Sequence, residues 1–144
     1  MKNLKVKFEI LFLWCKMIEA SPKEGEDIMK DNNVILSKSK SFALRIVRIY
    51  QILSTQRREY ILSKQLLRSG TSIGANICES QCAQSSGDFY SKLFIAYKEA
   101  SETLYWLELL YESNYLLQEE FFPLWQESHE IIRILATITK HHNS

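Results

Sequence analysis

Residue types suited to chemistry crowd most closely in QLLRSGTSIGANICES, Gln65–Ser80, which brings together two glycines, four hydroxyl side chains, Arg68, Asn76, Cys78 and Glu79. A phosphate-binding loop needs a glycine followed by Lys-Ser/Thr where a helix opens after a strand. The stretch has neither that lysine nor a strand pattern before it. No Gly-x-Ser-x-Gly nucleophile elbow is read in the chain either. Elsewhere the inventory is thin. The three histidines are His129, His141 and His142. A di-iron bundle needs Glu-x-x-His pairs on two helices, and no histidine has a glutamate three residues earlier; position 126 is Gln. The Arg-x4-His spacing of helical ribonucleases is also absent. Cys78 and Cys82 stand one helical turn apart, a weak zinc signal beside a full four-ligand set, and are read as small core residues. No enzymatic activity, metal or cofactor is expected.

Placed on a helical wheel, Gly70 and Gly74 fall on the same arc as Leu66, Leu67, Ile73 and Ile77. Each glycine costs about 1 kcal/mol against alanine inside a helix. Two on a packed face therefore imply the close approach of another helix backbone or a bulky side chain, and the aromatic-rich segment after residue 86 is the expected neighbour. Asn76 and Ser80, at the border of this face, are expected to pair with a neighbouring helix. The stretch reads as a packing seam with Arg68 at its basic edge.

The elements that carry this seam are helical. The chain has 144 residues, the size of one domain, and only 4 Gly and 2 Pro to mark turns. That favours a few long helices over many short strands. Apolar residues recur at spacings of three and four in four segments. They run from about Val34 to Ser54, Arg58 to Cys82, Ser86 to Ser113 and Glu119 to Lys140. Short connections make neighbouring helices antiparallel, up-down-up-down. The expected organisation is an N-terminal extension over residues 1–33 and a four-helix bundle over 34–142.

The third segment is apolar nearly all round. One stripe holds Phe89, Leu93, Ala96, Ala100, Leu104, Leu107 and Tyr111. The opposite side carries Phe94, Ile95, Tyr105, Trp106, Leu109 and Leu110. A small bundle covers one face of such a helix, so the second set is expected to meet another copy of the chain.

Ahead of the helices, the apolar run Ile10–Cys15 is too short to span a membrane and is approached through Lys5, Lys7 and Glu9. No signal peptide is read there. The composition changes enough that Met29 is a candidate start, with the preceding segment an extension. Three cysteines, Cys15, Cys78 and Cys82, make no even disulfide framework, and a reducing, cytoplasmic setting is expected.

The net charge is only +1, yet the charges are unevenly spread. Between Val34 and Arg68 stand Lys38, Lys40, Arg45, Arg48, Arg57, Arg58, Lys64 and Arg68 against the single acid Glu59. Beyond that point acids dominate, among them Glu99, Glu102, Glu108, Glu112, Glu119, Glu120, Glu127 and Glu130. Lys38, Arg45 and Arg48 share one side of the first helix, and Arg57, Lys64 and Arg68 one side of the second. Such stripes can follow the phosphates of RNA or DNA, or meet a nucleic-acid-bound protein. Equally, basic helices beside acidic ones make an ordinary salt-bridged surface.

Three stretches, NVILSKSKSFALRIVRIYQIL, QLLRSGTSIGANICES and DFYSKLFIAYKEASETLYWLELL, resemble the bacterial four helix bundle protein family, also called the 23S rRNA intervening-sequence protein family. The resemblance covers about Asn33 to Lys140. Its most specific part is the pattern Arg-Ser-x-x-Ser-Ile-x-x-Asn-Ile-x-Glu, here Arg68, Ser69, Ser72, Ile73, Asn76, Ile77 and Glu79. The resemblance implies an antiparallel four-helix bundle assembled as a homopentamer. Some relatives are encoded within ribosomal RNA genes, and others are basic accessory proteins that bind nucleic acid and a reverse transcriptase. Many relatives continue with Ala-Glu-Gly and an arginine-rich turn. Here Cys78-Glu79-Ser80 leads to Gln81-Cys82-Ala83-Gln84, with no base before Lys92.

Overall fold

The computed structural model of the chain describes residues 26–140 and 142. The expectations for the apolar run Ile10–Cys15 and the rest of the first 25 residues lie outside the described residues. Four helices, and no strand, make up the described residues: α1 (Glu26–Thr55), α2 (Leu62–Ser80), α3 (Ser86–Glu112) and α4 (Gln118–Lys140). None of them is long and apolar enough to cross a membrane.

The helix ends differ from the expected ones where backbone chemistry, rather than apolar spacing, sets them. α1 begins at Glu26 instead of near Val34, because apolar periodicity marks where a helix gains a packed face and not where its hydrogen bonds begin. α2 begins at Leu62 instead of near Arg58. Arg58 has a left-handed φ of 54°, which ends α1 as the turn residue of a C-terminal cap. The Glu59 amide then reaches back to the Leu53 carbonyl at 2.9 Å. The Glu59 side chain opens α2: one carboxylate oxygen accepts from the Ile61 and Leu62 amides at 3.1 and 2.9 Å, the other from the Ser63 amide at 2.6 Å. Ser63 Oγ in turn donates to the Glu59 carbonyl at 2.8 Å. α3 starts behind Ser85, whose hydroxyl accepts from the Asp88 amide at 3.1 Å. Asn114, at φ 63°, follows its end.

One core joins all four helices. Ile35, Phe42, Ile46 and Leu53 of α1 meet Leu66, Ile73 and Ile77 of α2, Leu93, Leu107 and Leu110 of α3, and Leu124, Ile131 and Leu135 of α4. Each helix packs on its neighbour in sequence, and α1 also packs, more sparsely, on α4. Partner numbers fall as residue numbers rise: Ser39 lies against Gly74 and Ile46 against Gly70, and Ser69 bonds to Thr103 while Glu79 bonds to Lys92.

The inner face of α3 is turned slightly from the apolar reading. Leu110 is in the core, whereas Leu104 is only half-buried. Thr103 accounts for the difference. It sits inside because its hydroxyl is satisfied twice, donating to the Glu99 carbonyl at 2.7 Å and bonded to Ser69 Oγ at 3.0 Å. A wheel read by apolarity alone leaves it out.

Candidate interaction surfaces

Gln65–Ser80 is helix throughout. Gly70-Thr71-Ser72-Ile73-Gly74 does carry the Gly-x-Ser-x-Gly spacing of a nucleophile elbow, contrary to expectation, but in another setting. It lies in mid-helix, and Ser72 Oγ donates to the Arg68 carbonyl one turn back at 2.6 Å. An elbow instead exposes its serine on a strained strand-to-helix turn.

Both glycines face α1. A Cβ on Gly70 would lie 2.9 Å from Ile46 Cγ2, and one on Gly74 3.2 Å from Ser39 Oγ. The close neighbour is thus an isoleucine and a serine of α1, not the aromatics of α3. Small residues also serve the α2–α3 contact, where Ser69 meets Thr103 of α3, which also buries Ala96 and Ala100. Ile73 and Ile77 are core residues. Asn76 and Ser80 bond within their own helix, to the Ser72 carbonyl at 2.8 Å and the Ile77 carbonyl at 2.6 Å. Cys78 is half-buried, and Cys82 is exposed, since α2 ends at Ser80 and leaves it in the following turn. Among the described residues, no group of three or more His, Cys, Asp or Glu is placed to hold a metal ion.

The basic stripes are largely neutralised within the protomer. Lys38 pairs with Glu130 at 2.9 Å and Arg45 with Glu127, both across the α1–α4 seam. Arg57 sits in the turn after α1, not on the face of α2 with Lys64 and Arg68. It grips both carboxylate oxygens of Glu120 at 2.7 Å and donates to the Tyr115 carbonyl at 2.7 Å. Glu120 also accepts from the Leu117 amide at the start of α4. Hydrogen bonding to Arg57 holds the Glu120 carboxyl below the usual range, against the opposing effect of burial. Arg68 binds Glu102 and lies 3.6 Å from Glu99 on α3. Glu102 is lowered chiefly by the Trp106 indole N–H, which it accepts at 3.0 Å, and then by Arg68. Glu79 holds Lys92 at 2.8 Å. Three of the seven candidate bases, Arg48, Arg58 and Lys64, are exposed and have no carboxylate within ion-pair distance among the described residues.

On α3 the outward set divides. Tyr105 is 56% exposed and Ile95 also reaches solvent. Phe94, Trp106 and Leu109 are half-buried, and Leu110 is withdrawn into the core. What stays outside is a strip in which Ile95 and Tyr105 alternate with exposed Ser91, Lys98 and Ser101, with Tyr105 packed edge-on to Trp106, ring centroids 5.0 Å apart.

The feature sequence reading missed is Glu59. It appeared only as the lone acid in a basic stretch, yet it is 7% exposed and ionised by design. Burial alone would raise its pKa, and the three backbone amides outweigh this and lower it. Its position three residues ahead of an amphipathic segment is the available signal.

Known proteins place the fold in context. A crystal structure from Bacteroides thetaiotaomicron VPI-5482, a protein of unknown function from the S23 ribosomal protein family, is 50% identical, with a TM-score of 0.75. The match covers 76% of this chain and 98% of that one. No curated protein matches the chain. The family model described as 23S rRNA-intervening sequence protein matches residues 31–137, a span that includes the Arg68–Glu79 pattern and all four helices. The chain belongs to the 23S rRNA-intervening sequence protein family.

Proposed function

We propose that the protein is a non-enzymatic, cytoplasmic, self-associating antiparallel four-helix bundle that acts as an interaction module. The outward strip of α3 joins copies of the chain, and the homopentamer implied by the family resemblance is the proposed assembly. The opposed numbering of Ser39–Gly74, Ser69–Thr103 and Lys38–Glu130 supports the antiparallel arrangement. One observation carries the self-association: on the side of α3 turned away from its own core, Ile95 and Tyr105 are exposed and Phe94, Trp106 and Leu109 only half-buried. Apolar side chains grouped on one outward face of a helix favour a partner. The test is the solution mass of the full chain by light scattering and native mass spectrometry. An oligomer is expected for the wild type, and a smaller species for Ile95→Glu/Tyr105→Glu.

A second reading, contact with RNA or DNA, keeps Arg48, Arg58 and Lys64, because these bases are left over from the internal ion pairs. Binding to RNA and DNA oligonucleotides across a salt series tests it. Three uncompensated bases predict weak binding, with a shallow loss of affinity as salt rises.

A further inference from the structure

The bundle end formed by the α1–α2 and α3–α4 turns carries a second exposed apolar surface, remote in sequence from the outward strip of α3. Arg57 joins the two turns directly through the Tyr115 carbonyl. On one side Tyr60 is 53% and Ile61 75% exposed; on the other, Leu117 is 52% exposed beside Tyr115. The charges around them are divided. Arg58 and Lys64, exposed and without a carboxylate partner, flank Tyr60 and Ile61. Glu112 and Glu119, also exposed, flank Tyr115 and Leu117. The other carboxylates from Glu59 onward each accept a hydrogen bond or hold a base. Glu112 and Glu119, with no such contact among the described residues, stand at the end of α3 and the start of α4, on the opposite turn from Arg58 and Lys64.

We infer that this end is a docking surface for the same end of a second copy, related by a two-fold axis. A surface that is basic on one side, acidic on the other and apolar between is complementary to itself after a half-turn. Arg58 and Lys64 of each copy then face Glu112 and Glu119 of the other, while the apolar side chains meet in the middle. Arg58 holds its base in left-handed backbone, at φ 54°, where Gly or Asn is the usual residue. The turn itself does not need arginine there.

This pairing does not depend on the α3 strip, and charge exchange tests it separately. The masses of the full-length wild type, Arg58→Glu/Lys64→Glu and Glu112→Lys/Glu119→Lys are compared by native mass spectrometry at low salt. Joined end to end, two of the proposed homopentamers make a ten-copy wild type; each variant is expected at half that mass, and an equimolar mixture of the two at the wild-type mass again. Arg58→Asn, which suits the turn, weakens the pairing while leaving the melting temperature unlowered. Ile95→Glu/Tyr105→Glu, in contrast, leaves a two-copy species. Unchanged mass in both charge variants, or no recovery on mixing, overturns the inference. So does a loss of oligonucleotide binding by Arg58→Glu/Lys64→Glu at unchanged mass, which assigns those bases to nucleic acid.

Discussion

At the scale of single residues, Glu59 and Gly70 do the most specific work. Glu59 supplies the acceptors that the first turn of α2 lacks, and a buried carboxylate accepting three amides is worth keeping ionised. Glu59→Ala is expected to lower stability at pH 7 by about 1–2 kcal/mol, measured by urea unfolding. Its folded pKa is depressed from 4.5, so its contribution is fully present above that pH. It is lost as pH falls through the lower folded value, and the gap between wild type and variant closes below pH 4.5. Gly70→Ala gains about 1 kcal/mol of helix propensity but drives a methyl into Ile46, a buried β-branched side chain with little freedom. A net loss of about 1–2 kcal/mol is expected, partly relieved in the Gly70→Ala/Ile46→Ala double variant relative to additivity. Gly74→Ala meets only a serine hydroxyl that can turn aside, and is expected to be near neutral.

At the scale of elements, the α1–α4 seam is more sparsely joined than the contacts between successive helices and is crossed by a ladder of ion pairs. The rungs differ in strength. Lys38–Glu130 and Arg45–Glu127 are solvated and worth less than about 1 kcal/mol each. Arg57 is shielded, bidentate and bonded to a loop carbonyl. Arg57→Ala is expected to cost about 1.5–3 kcal/mol in chemical unfolding, and Lys38→Ala less than 1. The four helices were legible because Ile46, Ile73, Leu107 and Leu135 repeat at helical spacing. The ends were not, because Glu59 caps through its side chain and Arg58 turns through its backbone, and neither leaves an apolar period. The destination of the basic stripe was likewise hidden. Sequence places Lys38 and Arg45 on one side of α1 but does not show that Glu130 and Glu127 stand opposite. Thr103, polar by type and buried by hydrogen bonding, accounts for the misplaced Leu110.

At the scale of the whole molecule, internal pairing takes up Lys38, Arg45, Arg57, Arg68 and Lys92, and apolar side chains stay exposed on α3, at the end bearing Tyr60 and Ile61, and at Val34, Leu44 and Phe122. A protein with a net charge of +1, in which Lys38, Arg45, Arg57 and Arg68 of the basic stripes are already paired with carboxylates, has little long-range field to draw a polyanion. RNA affinity is therefore expected to be lost between low and physiological salt. Self-association by apolar contact should instead survive that change, because burial of apolar surface is not screened. The most direct test is the mass of the full-length chain in solution at physiological salt, measured at micromolar concentration by light scattering. A defined oligomer that falls in mass on Ile95→Glu/Tyr105→Glu is the predicted result, and a monodisperse wild-type monomer would contradict the account.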